Sequence, residues 1–272
     1  MTEIPAAIPL HVRTAGAGPA LALVHGWGLH GGVWERTMAD LAGSYSVAAL
    51  DLPGHGYSPA APADLGQWAA QLGDALPGSR VWVGWSLGGL VCLQLAVARP
   101  AQVRALVLVA ATPRFTAAAD WPWAVDERVL DDFAGELRRD RGATLARFLA
   151  LQVRGSTGAQ ASLRQMREAL AQGPEPADLD AGLTLLRSAD LRGELDRIRC
   201  PVWLVRGERD TLVSAQAVDA AAARLRQATV ETLPGAGHAP FMARPEAFAA
   251  GLRAFLASID PEAAPDVRRG SS

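Results

Sequence analysis

Short apolar runs at residues 20–25, 47–52, 81–84, 105–110, 202–206 and 230–233 are too brief for helices and are bounded by polar or turn-forming residues. Their near-continuous hydrophobicity predicts strands buried on both faces, as in a parallel sheet. Between them, residues 33–42, 65–76, 87–98 and 247–257 carry apolar side chains at helical spacing. Strand and helix therefore alternate, which predicts a mostly parallel, doubly wound α/β sheet with helices on both faces. A further, antiparallel strand is expected near residues 11–14. The alternation breaks over residues 112–195, where charged helical segments and the turn formers Gly155, Gly158, Gly173, Pro174 and Pro176 replace strands. This stretch predicts a helical insertion serving as a lid, with residues 1–111 and 196–259 forming the core. Residues 260–272 hold too little apolar content to pack and are expected to be a disordered tail. No internal repeat is visible.

Composition narrows the function classes. With 272 residues, half of them apolar, the chain can bury a full core. Its net charge of -2 gives no overall basic field for nucleic acid, and no apolar run approaches the ~18 residues a membrane span requires. The first ten residues lack the pattern of a secretory signal, so a cytoplasmic protein is expected; a monomer is expected as well. The histidines lack metal-ligand spacing, and Cys92 and Cys200 are far apart, so neither a metal nor a disulfide framework is expected. No phosphate-binding loop or other cofactor motif appears. The basic residues are all arginine, a bias that informs only where the arginines cluster.

The chemistry concentrates at Gly84-Trp85-Ser86-Leu87-Gly88, a G-x-S-x-G pattern set between an apolar strand and a helical run. In that context it resembles the nucleophile elbow of α/β-hydrolases, where a strained turn holds a serine hydroxyl over the sheet edge. Ser86 is the expected nucleophile. Leu87 opens the following helix, so its backbone N–H is placed to stabilise an oxyanion. A serine hydroxyl needs a base, and the base a carboxylate to orient it. In the α/β-hydrolase order of nucleophile, acid and base, only His238 follows Ser86, because His11, His25, His30 and His55 precede it. For the acid, Asp210 lies just past the end of the strand at 202–206, where α/β sites assemble. Glu208, in the turn, and Asp219, in the following helix, are the nearby alternatives; Asp190 and Asp196 precede the strand, at its wrong end. The second oxyanion donor in such folds comes from the loop after the third strand, a place occupied by His25-Gly26-Trp27-Gly28-Leu29. Trp27 is the expected donor, with His25 bracing the loop. Asp51 and His55, in a neighbouring turn, are assigned no chemistry, and Cys92 and Cys200 are expected to fill core.

Further segments carry a narrower resemblance. They are Arg147-Phe148-Leu149-Ala150-Leu151-Gln152, Asp190-Leu191-Arg192, Asp210 with Leu212-Val213, and His238-Ala239-Pro240-Phe241. With Trp85 before the serine, the chain from about His25 to Phe255 resembles the pimeloyl-[acyl-carrier protein] methyl ester esterases of biotin synthesis. The resemblance implies a fold with a helical lid and a Ser86–Asp210–His238 triad. It also implies oxyanion donors at Trp27 and Leu87, a substrate channel lined by Phe148 and Gln152, and acyl-carrier protein as the bearer of the substrate. Core packing explains Phe148 nearly as well. Independently of the resemblance, residues 138–167 hold seven arginines, among them Arg138, Arg139, Arg147, Arg154 and Arg164, against a single acid, Asp140. A locally basic segment suits an acidic carrier protein; an ordinary solvated helix face is the plain alternative. The chain departs from the family at Ser214, where relatives often carry proline, and residues 126–140 have no counterpart in the resemblance. A small-ester carboxylesterase or lactonase, a carbon-carbon bond hydrolase and a non-catalytic receptor on the same fold are the rival readings.

Overall fold

The structure, a computed structural model, describes residues 9–259, so the expected tail at 260–272 lies outside the described residues. Strands β1 (Val12–Ala15), β2 (Ala20–Val24), β3 (Ser46–Leu50), β4 (Arg80–Trp85), β5 (Val103–Val109), β6 (Val202–Gly207) and β7 (Ala228–Leu233) form one sheet in the order β1-β3-β2-β4-β5-β6-β7. Only β1 pairs antiparallel, against β3. Side chains along each strand alternate between two cores. Ala22, Val24, Trp82, Leu106, Leu108 and Leu204 enter one; Leu21, Leu23, Val81, Val83, Val107, Val109 and Val205 enter the other. Both faces are covered, which is why these strands read as unbroken apolar runs.

Helices α2 (Leu65–Ala75), α3 (Leu87–Ala98) and α8 (Ala215–Ala222) bury Trp68, Leu72, Leu90 and Val218 on the first face. Helices α1 (Glu35–Leu41) and α10 (Pro245–Ile259) bury Met38, Leu41, Phe248 and Leu252 on the second. Each such large apolar side chain contributes about 1.5–3 kcal/mol. Polar residues set several helix starts: Asp64 accepts from the Gln67 N–H at 2.9 Å, and Ser214 from the Ala217 N–H at 3.1 Å. Ser214 is thus the cap of α8, a role worth about 1 kcal/mol. The helix expected at 33–42 begins as a 3-10 turn over Gly31–Trp34 before α1 starts.

The chain runs from β2 outward to β3, then crosses back so that β4 lies on the other side of β2. The loops after β2 and β4 therefore diverge from adjacent strands, the place where open α/β sheets bind ligands. Among the described residues β2 is the second strand in chain order, so the loop bearing Trp27 follows a second strand and not a third.

Between β5 and β6 the chain leaves the sheet and forms α4 (Glu127–Arg139), α5 (Arg141–Gln152), α6 (Ala159–Ala171) and α7 (Asp180–Ser188). Leu130, Phe133, Ala134 and Leu137 give α4 an apolar stripe at helical spacing. The outgoing and returning segments are tied where they cross: Leu191 N donates to Pro113 O at 3.0 Å, and Asp190 pairs with both Arg114 and Arg192, each at 2.7 Å. Those two arginines, Arg192 foremost, hold the Asp190 carboxyl well below the usual carboxylate range. Asp190 is a structural tie at the root of the insertion.

Candidate active site

Ser86 links β4 to α3 at φ 53° and ψ −117°, a left-handed conformation costly for a residue with a Cβ. The turn closes only because its neighbours lack side chains. A Cβ on Gly84 would stand 2.6 Å from Gly88 O, one on Gly88 2.5 Å from both Val24 O and His25 O, and one on Gly89 2.4 Å from the Ala111 methyl. Helix α3 is thereby pressed against β2 and β4, and the Ser86 N–H donates to Val109 O at 2.9 Å. The hydroxyl lies over the strand ends.

His238 is carried by the loop between β7 and the short helix α9 (Pro240–Ala243). Its Nε2 lies 2.9 Å from Ser86 Oγ, and its Nδ1 lies 2.9 and 3.1 Å from the two oxygens of Asp210. Both side chains of the His238–Asp210 pair are only 1% exposed. Asp210 follows β6 in a tight turn, where its Oδ1 also accepts the Leu212 N–H at 2.8 Å and the Val213 N–H at 3.0 Å. The carboxylate plane is set by the backbone before the imidazole meets it. The alternative acids are engaged elsewhere. Asp219 pairs with Arg206 at 2.8 Å, and Glu208 accepts the Gly235 N–H at 2.7 Å, which ties down the loop that carries His238. By sequence Glu208 is a turn residue; only the tertiary pairing reveals this tether.

Trp27 and Leu87 flank the serine. Leu87 is the first residue of α3, where backbone N–H groups have no partner within the helix. Gly26 lies so close to the elbow that a Cβ there would stand 3.3 Å from Ser86 Cβ. His25 joins this loop to the end of β3: the Leu52 N–H donates to its Nε2 at 2.9 Å. The proton must then sit on Nδ1, which donates to Gly26 O at 2.7 Å. Burial, reinforced by the nearby His55, pushes the His25 pKa well down, so the tautomer is kept neutral. His55 donates from Nδ1 to Pro53 O at 2.9 Å, and burial lowers it to about 4. Asp51 accepts from Gly31 N at 2.6 Å and Tyr57 N at 2.9 Å. These contacts are structural.

The insertion contacts the segments that flank Ser86. The Trp27 indole donates to Leu179 O at 2.8 Å, just before α7, and its ring meets those of Phe148 and Phe133 edge-on at 4.8 and 5.5 Å. Gln152, at the end of α5, accepts the His238 N–H through its carbonyl at 3.0 Å, while its side-chain amide nitrogen is buried without a partner. Phe148 thus packs on Trp27, and Gln152 on the backbone of His238. Ser86 is 4% exposed, Trp27 and Gln152 1%. The arginines lie on the outside of the insertion and divide by pairing. Arg147 pairs with Glu136 at 2.7 Å and stacks over Phe133, and Arg164 approaches Glu168 at 3.9 Å. Arg138, Arg139 and Arg154 form no ion pair among the described residues.

Cys92 is fully buried in α3, and burial pushes its thiol far above the ordinary range; Cys200 is pushed up to about 11. Neither offers a thiolate. Among the described residues, no cluster of His, Cys, Asp or Glu could hold a metal ion, and no helix is long and apolar enough to cross a membrane.

Residues 19–245 match the model of the alpha/beta hydrolase fold family. The chain is 45% identical over 254 residues to the pimeloyl-[acyl-carrier protein] methyl ester esterase of Xanthomonas campestris pv. campestris, covering 92% of this chain and 100% of that protein. It is 42% identical to the enzyme of the same name from Nitrosomonas europaea, over 88% and 96% of the two chains. Among solved structures, an esterase from Exiguobacterium antarcticum superposes with a TM-score of 0.83 at 20% identity, over 91% of this chain and 95% of that one.

Proposed function

The chain belongs to the alpha/beta hydrolase fold family, among the pimeloyl-[acyl-carrier protein] methyl ester esterases, and from that premise we propose which of its residues perform the hydrolysis and how. It is a carboxylic ester hydrolase. Its substrate is the methyl ester of pimeloyl-[acyl-carrier protein], an intermediate of biotin synthesis, and its products are methanol and the free acid, still thioester-linked to the carrier.

In our reading His238 Nε2 takes the proton of Ser86 Oγ, and the oxygen attacks the ester carbonyl. The backbone N–H groups of Trp27 and Leu87 receive the charge that develops on the carbonyl oxygen. As the tetrahedral intermediate collapses, His238 returns its proton to the departing methoxide, which leaves as methanol. Water, deprotonated by the same imidazole, then attacks the acyl-enzyme; Ser86 leaves with that proton and the carboxylic acid is released. Asp210 holds the imidazole with Nδ1 protonated and steadies its charged form. The observation that carries this reading is the unbroken chain from Ser86 Oγ through His238 to Asp210, at 2.9 Å on each side of the ring. No cofactor or metal enters it.

We assign residues 112–195 the part of a lid, because they set Phe148 and the Leu179 carbonyl on Trp27 and the Gln152 carbonyl on the His238 N–H. Phe148 and Trp27 offer apolar walls to the acyl chain, and the unpartnered amide of Gln152 offers a donor to a substrate oxygen. The arginine-rich outer face, with Arg138, Arg139, Arg147, Arg154 and Arg164, is assigned to the acidic carrier protein. A cytoplasmic monomer fits this partnership.

The test is mass spectrometry of the carrier-bound methyl ester after incubation with the wild type and with Ser86→Ala. Loss of one methyl group with the thioester intact, in the wild type alone, is the expected result. Wild-type hydrolysis by Ser86→Ala would overturn the assignment of the nucleophile. Persistence of the ester while an aryl ester is cleaved would move the substrate to small diffusible esters.

A further inference from the structure

The loop that carries His238 is held from two sides. From the core, the Trp85 indole donates to His238 O at 2.7 Å, and Glu208 accepts the Gly235 N–H. From the insertion come three more bonds, all from the end of α5 and the turn that follows it. His238 N donates to Gln152 O at 3.0 Å, Thr157 N donates to Gly235 O at 2.7 Å, and Gly237 N donates to the Ser156 hydroxyl at 2.8 Å.

That turn is shaped for the task. Gly155 at φ 75° and Gly158 at φ 73° bracket it, and Arg154 N to Leu151 O, Ser156 N to Val153 O and Ala159 N to Ser156 O close it internally. Its Gly155 carbonyl is gripped by the Arg209 guanidinium at 2.9 Å, beside Asp210. Gly237 sits so deep in the turn that a Cβ would stand 2.6 Å from Ser156 Oγ, 3.1 Å from Gln152 O and 3.2 Å from Arg154 O. The N–H groups of residues 237 and 238 are thus both satisfied by the insertion. The sheet fixes the nucleophile; the insertion completes the fixing of the base.

We propose that Ser156 is a positioning residue for the hydrolysis, its hydroxyl and the Gln152 carbonyl forming a mount on the insertion that sets the catalytic histidine loop against Ser86. The proposal rests on the reading of His238 as the base. Ser156 touches no reacting atom. It acts by holding the main chain one residue before the imidazole, where displacements well under 1 Å lengthen the Nε2 to Oγ hydrogen bond and lower the fraction of reactive geometry. Removal of the hydroxyl leaves the buried Gly237 N–H without its partner, and the loop shifts to find another.

The experiment compares Ser156→Ala, Ser156→Thr and Gly237→Ala with wild type on the carrier-bound ester and on a small aryl ester, with Ser86→Ala as control and thermal midpoints measured alongside. Ser156→Ala is expected to lower kcat about tenfold on both substrates, the scale of one lost hydrogen bond, with KM unchanged. Ser156→Thr, which keeps the hydroxyl, restores kcat to within about twofold of wild type by the same scale. Gly237→Ala, whose methyl group does not fit the turn, loses more; should it fail to fold, the Ser156 pair carries the test alone. A Ser156→Ala enzyme with wild-type kcat, whatever its thermal midpoint, overturns the mount while an inactive Ser86→Ala leaves the triad standing. If Ser86→Ala itself retains activity, the reading of the site falls instead.

Discussion

Asp210 shows how one carboxylate oxygen is committed before chemistry begins. Oδ1 is already engaged by the Leu212 and Val213 N–H groups, so an asparagine at this position would place its amide oxygen there. Its NH2 group would then face His238 Nδ1. The imidazole would respond by protonating Nε2, the nitrogen that in the proposed mechanism accepts the Ser86 proton. Asp210→Asn is therefore expected to lower kcat by on the order of 10⁴ with little change in thermal midpoint. Steady-state kinetics on an aryl ester checks this, and activity within tenfold of wild type would mean that another carboxylate orients the base. The same logic separates Asp210 from Glu208, which is near in sequence but spends an oxygen on Gly235.

At the scale of elements, α4 and α5 face both ways. Their inner sides bury Phe133, Leu137, Leu145 and Leu149, while Arg138 and Arg139 end α4 on exposed positions without ion pairs among the described residues. The density of arginine along this stretch was legible in the sequence, but the pairing was not: Arg147 and Arg164 are partly neutralised by Glu136 and Glu168, acids just outside the window that seemed almost free of them. The double variant Arg138→Glu/Arg139→Glu is expected to raise KM for the carrier-bound ester severalfold at low salt, because unpaired charges steer an acidic partner. The loss shrinks as salt screens the field, and the aryl ester is spared. Equal losses on both substrates would show that the two arginines support the fold and not the carrier.

Across the molecule, two buried imidazoles make stability depend on pH. In the unfolded chain they titrate near 6.5; in the folded protein burial drives both downward, His55 to about 4. Between those values the unfolded state binds more protons, so folding weakens as pH falls. The stabilisation is fully present above about pH 6.5 and is lost progressively towards pH 4. For His55 alone the loss amounts to about 3 kcal/mol. Urea unfolding from pH 7.5 to 4 is expected to show this decline, with a shallower slope in His55→Asn, which keeps a donor for the Pro53 carbonyl. Identical slopes would mean that other groups govern acid unfolding.

The strand positions, the helices on either face and the elbow around Ser86 were legible in the chain, because each rests on local periodicity or on a short steric requirement. The strand at residues 20–25 ends within a residue of its expected limit, and α3 spans the residues its pattern foretold. The order of nucleophile, acid and base pointed to Asp210 and His238 because topology limits where strand ends can meet. What the sequence by itself could not decide is how distant segments satisfy one another's backbone groups. The bonds from Leu52 to His25, from Trp27 to Leu179 and from Gly237 to Ser156 join residues with no pattern in common. A backbone N–H carries no side-chain signature, so its partner appears only once the chain has folded and brought the two together.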